Sequence, residues 1–288
     1  METSVTQNPT PTSIPQFEQP PETNYVLHRR FDRMGRLVGD TVMEKLLHTH
    51  VMVLGLGGVG SWAAESLSRS GIGRLTVADF DEVCITNANR QLHALQGMVG
   101  KKKADVMGER LRKINPQSEV TVIPEFFSEE SAERFFAHKP DYIIDAIDNM
   151  TAKAYLLAQC RARGIKVITS AGAAARLDPL RVKLVDLGET HTDPLAHQLR
   201  KILRQKHNFP EGKFFDLPCV FSEEEPMQPM ELTYDKGMGF KCVCPQNAGK
   251  PHSCEHRNVI YGTASFVTGT FGLTMASWVV KDVIKESK

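Results

Sequence analysis

Residues 51–60 read VMVLGLGGVG, an apolar run that gives way at once to glycines. Four large apolar residues in a row suit a strand buried on both faces. Gly55, Gly57 and Gly60 then satisfy the spacing G-x-G-x-x-G, and Gly58 is a further position where no side chain blocks the backbone. The amphipathic run 61–70 that follows has the period of a helix. A strand, a glycine turn and a helix in that order point free backbone N–H groups at an anion, and phosphate is the anion such turns hold. Gly55 would make the turn tight, Gly57 and Gly58 would admit a phosphate to the main chain, and Gly60 would let helix and strand pack closely. The same turn without a ligand is the plainer reading. Asp79 weighs against it, because it ends a second apolar run, 75–78, and lies 19 residues after Gly60, where a carboxylate closing the next parallel strand meets a ribose.

The rest of the chain repeats this alternation. Residues 98–114 read as a helix stopped by Asn115-Pro116, VTVIP as a strand, 129–137 as a helix, and DYIIDAID as a strand whose apolar core ends in Asp145 and Asp148. A helix over 151–163 leads through Gly164 into the strand KVITSAG. The pattern predicts an α/β fold: a Rossmann-like, doubly wound, mostly parallel sheet with helices on both faces. Gly55, Asp79, Asp148 and Ser170 all fall at the carboxyl ends of its strands, where such sheets bind ligands. Before the first strand, Phe31, Met34, Leu37, Val38, Val42 and Leu46 recur at helical spacing, which fits one or two short helices carrying Arg29, Arg30, Arg33 and Arg36. Those arginines read either as a solvated face or as phosphate ligands.

The alternation breaks after Leu184. Residues 187–209 read as one basic amphipathic helix, with Leu195, Leu199, Ile202 and Leu203 on one face and Arg200, Lys201, Arg204, Lys206 and His207 mostly on the other; 215–251 read as an irregular crossover. The run 259–280 is long enough to span a membrane, but its Gly, Thr and Ser content fits better a buried helix covering the sheet, so membrane association is not expected. Residues 1–24, with five prolines and few large apolar groups, read as a flexible tail, which leaves 25–288 as a single domain. A formal net charge of +1 gives no reason to expect DNA and confines any RNA contact to a local basic patch, of which the 187–209 helix is the densest. Six cysteines in 288 residues do not make a disulfide scaffold, and without an evident signal peptide a reducing cytoplasm is the expected compartment.

One stretch is far more specific than the glycines. DFDEVCITNANRQLHALQGMVGKKKADV, residues 79–106, fits D-x-D-x-V-x-x-S/T-N-x-x-R-Q followed by a lysine after V-G, through Asp79, Asp81, Val83, Thr86, Asn87, Arg90, Gln91 and the triplet Lys101 to Lys103. Together with GLGGVG and DAIDN it resembles the adenylating domain of the ubiquitin-activating-enzyme superfamily. Within it, RFDRMGRLVGD, GGVGSWAAESLSRSGIG, VCITNANRQLHAL, INP, DAID, Asp178-Pro179 and the VFS of 220–222 resemble most the tRNA threonylcarbamoyladenosine dehydratase family, over residues 29–280. The resemblance implies a homodimer that uses ATP and magnesium to adenylate a carboxylate beside the tRNA anticodon. Asp79 would bind the ribose, Asp81 would stand beside it, Asn87 and Arg90 would meet the triphosphate, Lys103 would reach the phosphates at the reacting centre, and Asp148 would hold magnesium. Asn87 could equally cap a helix, Arg90 pair with Asp81, and Lys103 be one exposed lysine of three. An arginine from the partner subunit is also implied, Arg33 by the wider superfamily and Arg36 by the dehydratase spacing.

Two features depart from the relatives. The two C-x-x-C pairs that hold structural zinc in sulfur-carrier activators are missing, whereas Cys242, Cys244, Cys254 and His256, with His252 near, form an unusual set whose ligand types suit zinc. The same cysteines could instead relay sulfur in partnership with a cysteine-desulfurase system; Cys84 and Cys160 read as packing residues. The rival enzyme is an adenylyltransferase for a ubiquitin-like sulfur carrier, with Cys219 or Cys242 taking the activated chain. A nicotinamide-dependent dehydrogenase would leave Asn87, Arg90 and Lys103 unexplained, and a silent scaffold would leave every site position idly competent.

Overall fold

The computed structural model describes residues 26–212, 214–230, 232 and 261–287. The 1–24 tail and the Cys242, Cys244, Cys254, His252 and His256 cluster lie outside the described residues. Two short helices, α1 (Asp32–Val38) and α2 (Asp40–His48), lead into β1 (His50–Leu54). Then come α3 (Gly60–Arg69), β2 (Arg74–Ala78), α4 (Lys103–Ile114), β3 (Glu119–Ile123), α5 (Ala132–Phe136), β4 (Tyr142–Asp145), α6 (Met150–Arg163) and β5 (Lys166–Ser170). The chain continues through β6 (Val182–Asp186), α7 (Pro194–His207), β7 (Pro218–Ser222) and α8 (Ser265–Lys285). The seven strands form one sheet in the order β3-β2-β1-β4-β5-β7-β6, parallel throughout except where β6 runs against β7. The order reverses between β1 and β4, so the glycine turn opens at the switch point of the sheet.

Period-two alternation divides the core. Val51 and Val53 pack with Leu67 of α3, Met107 of α4 and Phe271 of α8 on one face, while Met52 and Leu54 pack with Phe135 of α5, Leu157 of α6 and Leu199 of α7 on the other. The expected C-terminal helix is α8, and its glycines serve packing: a Cβ on Gly272 would overlap the Val59 carbonyl oxygen at the start of α3. Among the described residues no helix is long and apolar enough to cross a membrane.

Several expected boundaries move. The 98–114 helix begins only at Lys103, because the backbone of residues 100–101 is bonded both ways to Val83 (Val83 N to Lys101 O, 2.8 Å; Gly100 N to Val83 O, 2.9 Å) and Gly100 has φ +86°. The 129–137 helix shrinks to α5, and the 187–209 helix begins at Pro194, capped by the Asp193 carboxylate on Ala196 N at 2.8 Å. The supposed crossover contains β7, which pairs with β5 and β6 and extends the sheet beyond the alternation read from the sequence. In the first helices Phe31, Val42 and Leu46 are buried, but Leu37 is exposed.

Candidate functional site

The glycine turn is held from two sides. Gly55 adopts φ +86°, and a Cβ there would stand 2.6 Å from the Ala146 carbonyl oxygen; one on Gly60 would overlap the carbonyl oxygen of Gly55 itself. Gly58 lies between Arg90 and Thr268 of α8, each with an atom 3.2 Å from where its Cβ would be, while Gly57 meets nothing closer than Gln91 Nε2 at 4.0 Å. The turn therefore has an open backbone face at Gly57, at the amino end of α3, where the helix dipole favours negative charge.

Acidic and basic groups converge beside it. Asp79, at the end of β2, is buried; its Oδ2 accepts Leu56 N at 2.7 Å and its Oδ1 accepts Asp81 N at 2.8 Å, which ties the turn to the next loop. Burial pushes the Asp79 carboxyl up, against the pull of Lys103. Lys103, buried at the start of α4, donates to Asp81 Oδ2 at 2.8 Å. Burial works against its charge, but Asp79, Asp81 and Asp148 together outweigh that and raise its pKa, so the ammonium stays charged. It is not one exposed lysine of three, and it, not Arg90, is the partner of Asp81.

The 84–95 loop completes the cluster. Asn87 is buried with its Oδ1 accepting Cys84 N at 3.1 Å, so it closes its own short 85–87 turn instead of capping the next helix, α4, and its carbonyl end is turned into the loop. The Arg90 guanidinium donates to Thr86 O at 2.9 Å and Asn89 Oδ1 at 3.0 Å, and the Arg90 carbonyl accepts Trp62 Nε1 at 3.1 Å. Asp148 stands exposed three residues past β4, within electrostatic reach of Lys103. Next to Asp79 and Asp81 an open cleft of about 570 Å³, lined by Phe80, Lys102, Phe126, Ser128 and Arg134, runs along the ends of β2 and β3. Phe80 and Phe126 meet edge to face at 5.1 Å between centroids.

Other expected residues lie elsewhere. Arg33 and Arg36 are exposed on α1, and the Phe31 ring at its start packs by Gly71, at the far end of α3 from the glycine turn. Arg36 pairs with Asp32 at 3.1 Å. On α7 the cationic face is only half free: Arg200 donates to Thr190 Oγ1 and to Thr190 O at 3.0 Å, and Arg204 donates to Gly212 O at 2.9 Å while covering the Phe215 ring, which leaves Lys201 and Lys206 exposed. Cys84 and Cys160 are buried as packing residues. Cys219, one of the two thiols considered as acceptors of an activated chain, is fully buried in β7 and burial pushes its thiol up, so it is neither reachable nor a ready thiolate.

Three residues near the site escaped the sequence reading. Thr268 reaches Gly58 from α8, far away in the chain. Lys153 and Thr169 meet Asp145 in a fully buried cluster under the 145–149 turn, with Lys153 Nζ 2.6 Å from Asp145 Oδ2. A lysine on a helix whose apolar residues form no clear stripe, as in α6, carries no local sign of burial.

A doubly wound sheet with a glycine turn at its switch point, a buried carboxylate closing the next strand and a buried charged lysine beside it is the frame of a nucleotide-binding protein. The chain belongs to the ThiF family, whose sequence model matches residues 31–288. It is 38% identical over 262 residues to the tRNA threonylcarbamoyladenosine dehydratase of Escherichia coli (strain K12), covering 90% of this chain and 95% of that protein. It is 40% identical over 261 residues to the protein of the same name from Bacillus subtilis (strain 168), covering 91% and 96%. The crystal structure of the E. coli tRNA N6-threonylcarbamoyladenosine dehydratase, TcdA, in complex with ATP superposes with a TM-score of 0.76 at 36% identity, covering 90% of this chain and 95% of that one.

Proposed function

We propose that this chain is an ATP-dependent tRNA-modifying enzyme, which adenylates the threonyl carboxylate of threonylcarbamoyladenosine beside the anticodon and closes it into a ring with loss of water. The observation that carries this reading is the gathering of Asp79, Arg90 and Lys103 around the glycine turn in a chain similar over nearly its whole length to tRNA threonylcarbamoyladenosine dehydratases. The amides at Gly57 and the amino end of α3 would take phosphate, Asp79 the ribose hydroxyls, and the cleft beside Phe80 the adenine. Lys103 would leave Asp81 for a phosphate, and Arg90 would leave Thr86 O and Asn89 Oδ1 for the same charge; both cations already stand beside the turn.

A carboxylate oxygen attacks the α-phosphorus, and pyrophosphate leaves with the electron pair of the broken P–O bond. A nitrogen of the same nucleoside then attacks the acyl carbon, loses its proton to solvent, and AMP departs carrying one former carboxylate oxygen. The second step is intramolecular, so it needs no enzyme thiol. Asp148, an exposed carboxylate able to share a hard cation with ATP phosphates, fits magnesium, which when bound would neutralise the developing phosphate charge. Arg33 and Arg36 are exposed on α1, whose start packs at the far end of α3 from the turn, which supports a homodimer in which one of them completes the partner's site. Lys201 and Lys206 are the α7 cations left for a tRNA backbone. ATP and tRNA meet in the cytoplasm, which is then the compartment of the reaction. Zinc or sulfur relay at the Cys242 cluster, with a desulfurase partner, would be auxiliary to it.

The test is incubation with labelled ATP, magnesium and bulk tRNA with or without the threonylcarbamoyl group. AMP is expected only with modified tRNA, in step with a nucleoside lighter by one water, and Asp148→Ala is expected to fold but release no AMP. AMP release driven instead by a small protein ending in Gly-Gly, or a covalent thioester on the enzyme, would move the chain to the sulfur-carrier activators.

A further inference from the structure

Across the middle of the sheet, register sets Leu54 of β1, Asp145 of β4, Thr169 of β5 and Cys219 of β7 side by side. From above this row Lys153, in the first turns of α6, brings its Nζ to 2.6 Å from Asp145 Oδ2, 3.1 Å from Thr169 Oγ1 and 3.4 Å from Asp145 O. Thr169 Oγ1 also donates to Asp145 Oδ2 at 2.6 Å, and Asp145 Oδ1 accepts Ile147 N at 3.2 Å. Neither charged side chain has any exposed surface. A sealed ion pair adds little net stability over apolar side chains of the same size, so stability alone does not account for it.

What the cluster does is define a turn. Ala146 N donates to Leu54 O at 2.9 Å and Ile147 N to Asp145, so the chain leaving β4 is pinned before it reaches Asp148. Asn149 then caps α6 by accepting Ala152 N at 3.0 Å, and Lys153 N returns to Asn149 O at 2.9 Å. The same turn sets the Ala146 carbonyl against Gly55 and the Ala146 Cβ against Gly60. We infer that Asp145, Lys153 and Thr169 are positioning residues for the nucleotide site, holding the 145–149 turn so that Asp148 faces the bound nucleotide and Ala146 walls the glycine turn. This rests on the reading of Asp148 as the magnesium carboxylate.

The experiment is calorimetric titration of the full-length protein with ATP, once in magnesium and once in chelator, beside thermal unfolding and without tRNA. Lys153→Met alone strands a buried carboxylate and is expected to be strongly destabilised, so the neutral double variant Asp145→Asn/Lys153→Met carries the test. That variant is expected to unfold cooperatively near the parent temperature, to bind ATP in chelator as the parent does, and to lose roughly tenfold or more of the affinity that magnesium adds, the scale seen when the support of a metal-binding side chain is removed. Thr169→Val should lose part of the same increment. A double variant that folds and keeps the full magnesium increment overturns the inference, as does a parent with no increment at all. Because no tRNA is present, inactivity on tRNA would count against the proposed reaction and leave this result standing.

Discussion

Lys103 and Lys153 each meet an aspartate at the carboxyl edge of one sheet, at 2.8 and 2.6 Å, and the two pairs are finished in opposite ways. Around Lys153 every group is sealed, and Asp145 accepts from an ammonium, a hydroxyl and an amide. Around Lys103 the partner carboxylate of Asp81 is 43% exposed. Close by, Gln91 Oε1 and both ring nitrogens of His93 are buried with no hydrogen-bond partner, three of the four such side-chain atoms among the described residues. A saturated pair in the dry interior is a fixture, since nothing from solvent can replace either member. A pair open on one side can exchange its carboxylate for a phosphate. Identical chemistry thus supports the frame at the end of β4 and, on the proposed reading, would supply the working charge beyond the end of β2.

The comparison can be broken by substitution. Lys153→Met should cost the fold roughly 3–5 kcal/mol in denaturant unfolding, because it strands a buried charge. Lys103→Ala should cost the fold less than Lys153→Met, since Asp81 can hydrate although buried Asp79 loses its nearest cation, while AMP formation falls by roughly 10²–10³-fold in kcat, the size expected when one donor to transition-state charge is lost. If instead Lys103→Ala unfolds and Lys153→Met merely slows the reaction, the assignment of fixture and working charge is reversed.

His93 gives a finer contrast. Burial, with Lys103 and Arg110 adding to it, lowers its pKa from 6.5 to about 4, so it is neutral at neutral pH. A group that protonates more readily unfolded than folded destabilises the native state as pH falls: the penalty should open below pH 6.5 and level off near 4. Unfolding midpoints of the parent and His93→Leu should diverge in the parent's disfavour across that window and run parallel above it. Parallel curves throughout would place the imidazole in contact with solvent or a partner. The smallest effect is expected at Arg36→Ala, whose exposed pair with Asp32 should change stability by less than about 1 kcal/mol, leaving any loss of activity attributable to a partner's site.

What could be read from the sequence follows chain locality. Gly55, Asp79, Asn87, Arg90 and Lys103 belong to a strand-turn-helix unit and the loop after it, where spacing along the chain is nearly spacing in space. β6 and β7 were illegible because β7 is five residues amid proline and acidic stretches, and only its register with β5 and β6 makes it a strand. Arg200 and Arg204 sit where a helical projection puts them, on the polar side of α7, but carbonyls of 187–190 and 210–212 fold over that side and take the guanidiniums. Lys153 failed for the converse reason: its partner is eight residues back at a strand end, and nothing in the α6 pattern announces that its face lies over Asp145.

In the proposed reaction a carboxylate of the modified nucleoside attacks the α-phosphorus of ATP at the Lys103 side of the glycine turn. Labelling that carboxylate with heavy oxygen and following it by mass spectrometry tests this most directly, because activation through the α-phosphorus must carry one labelled oxygen away in AMP. One heavy oxygen is expected per AMP released, matched to one cyclised nucleoside. Label appearing in inorganic phosphate, with ADP as the nucleotide product, or unlabelled AMP alongside a cyclised nucleoside, would contradict it.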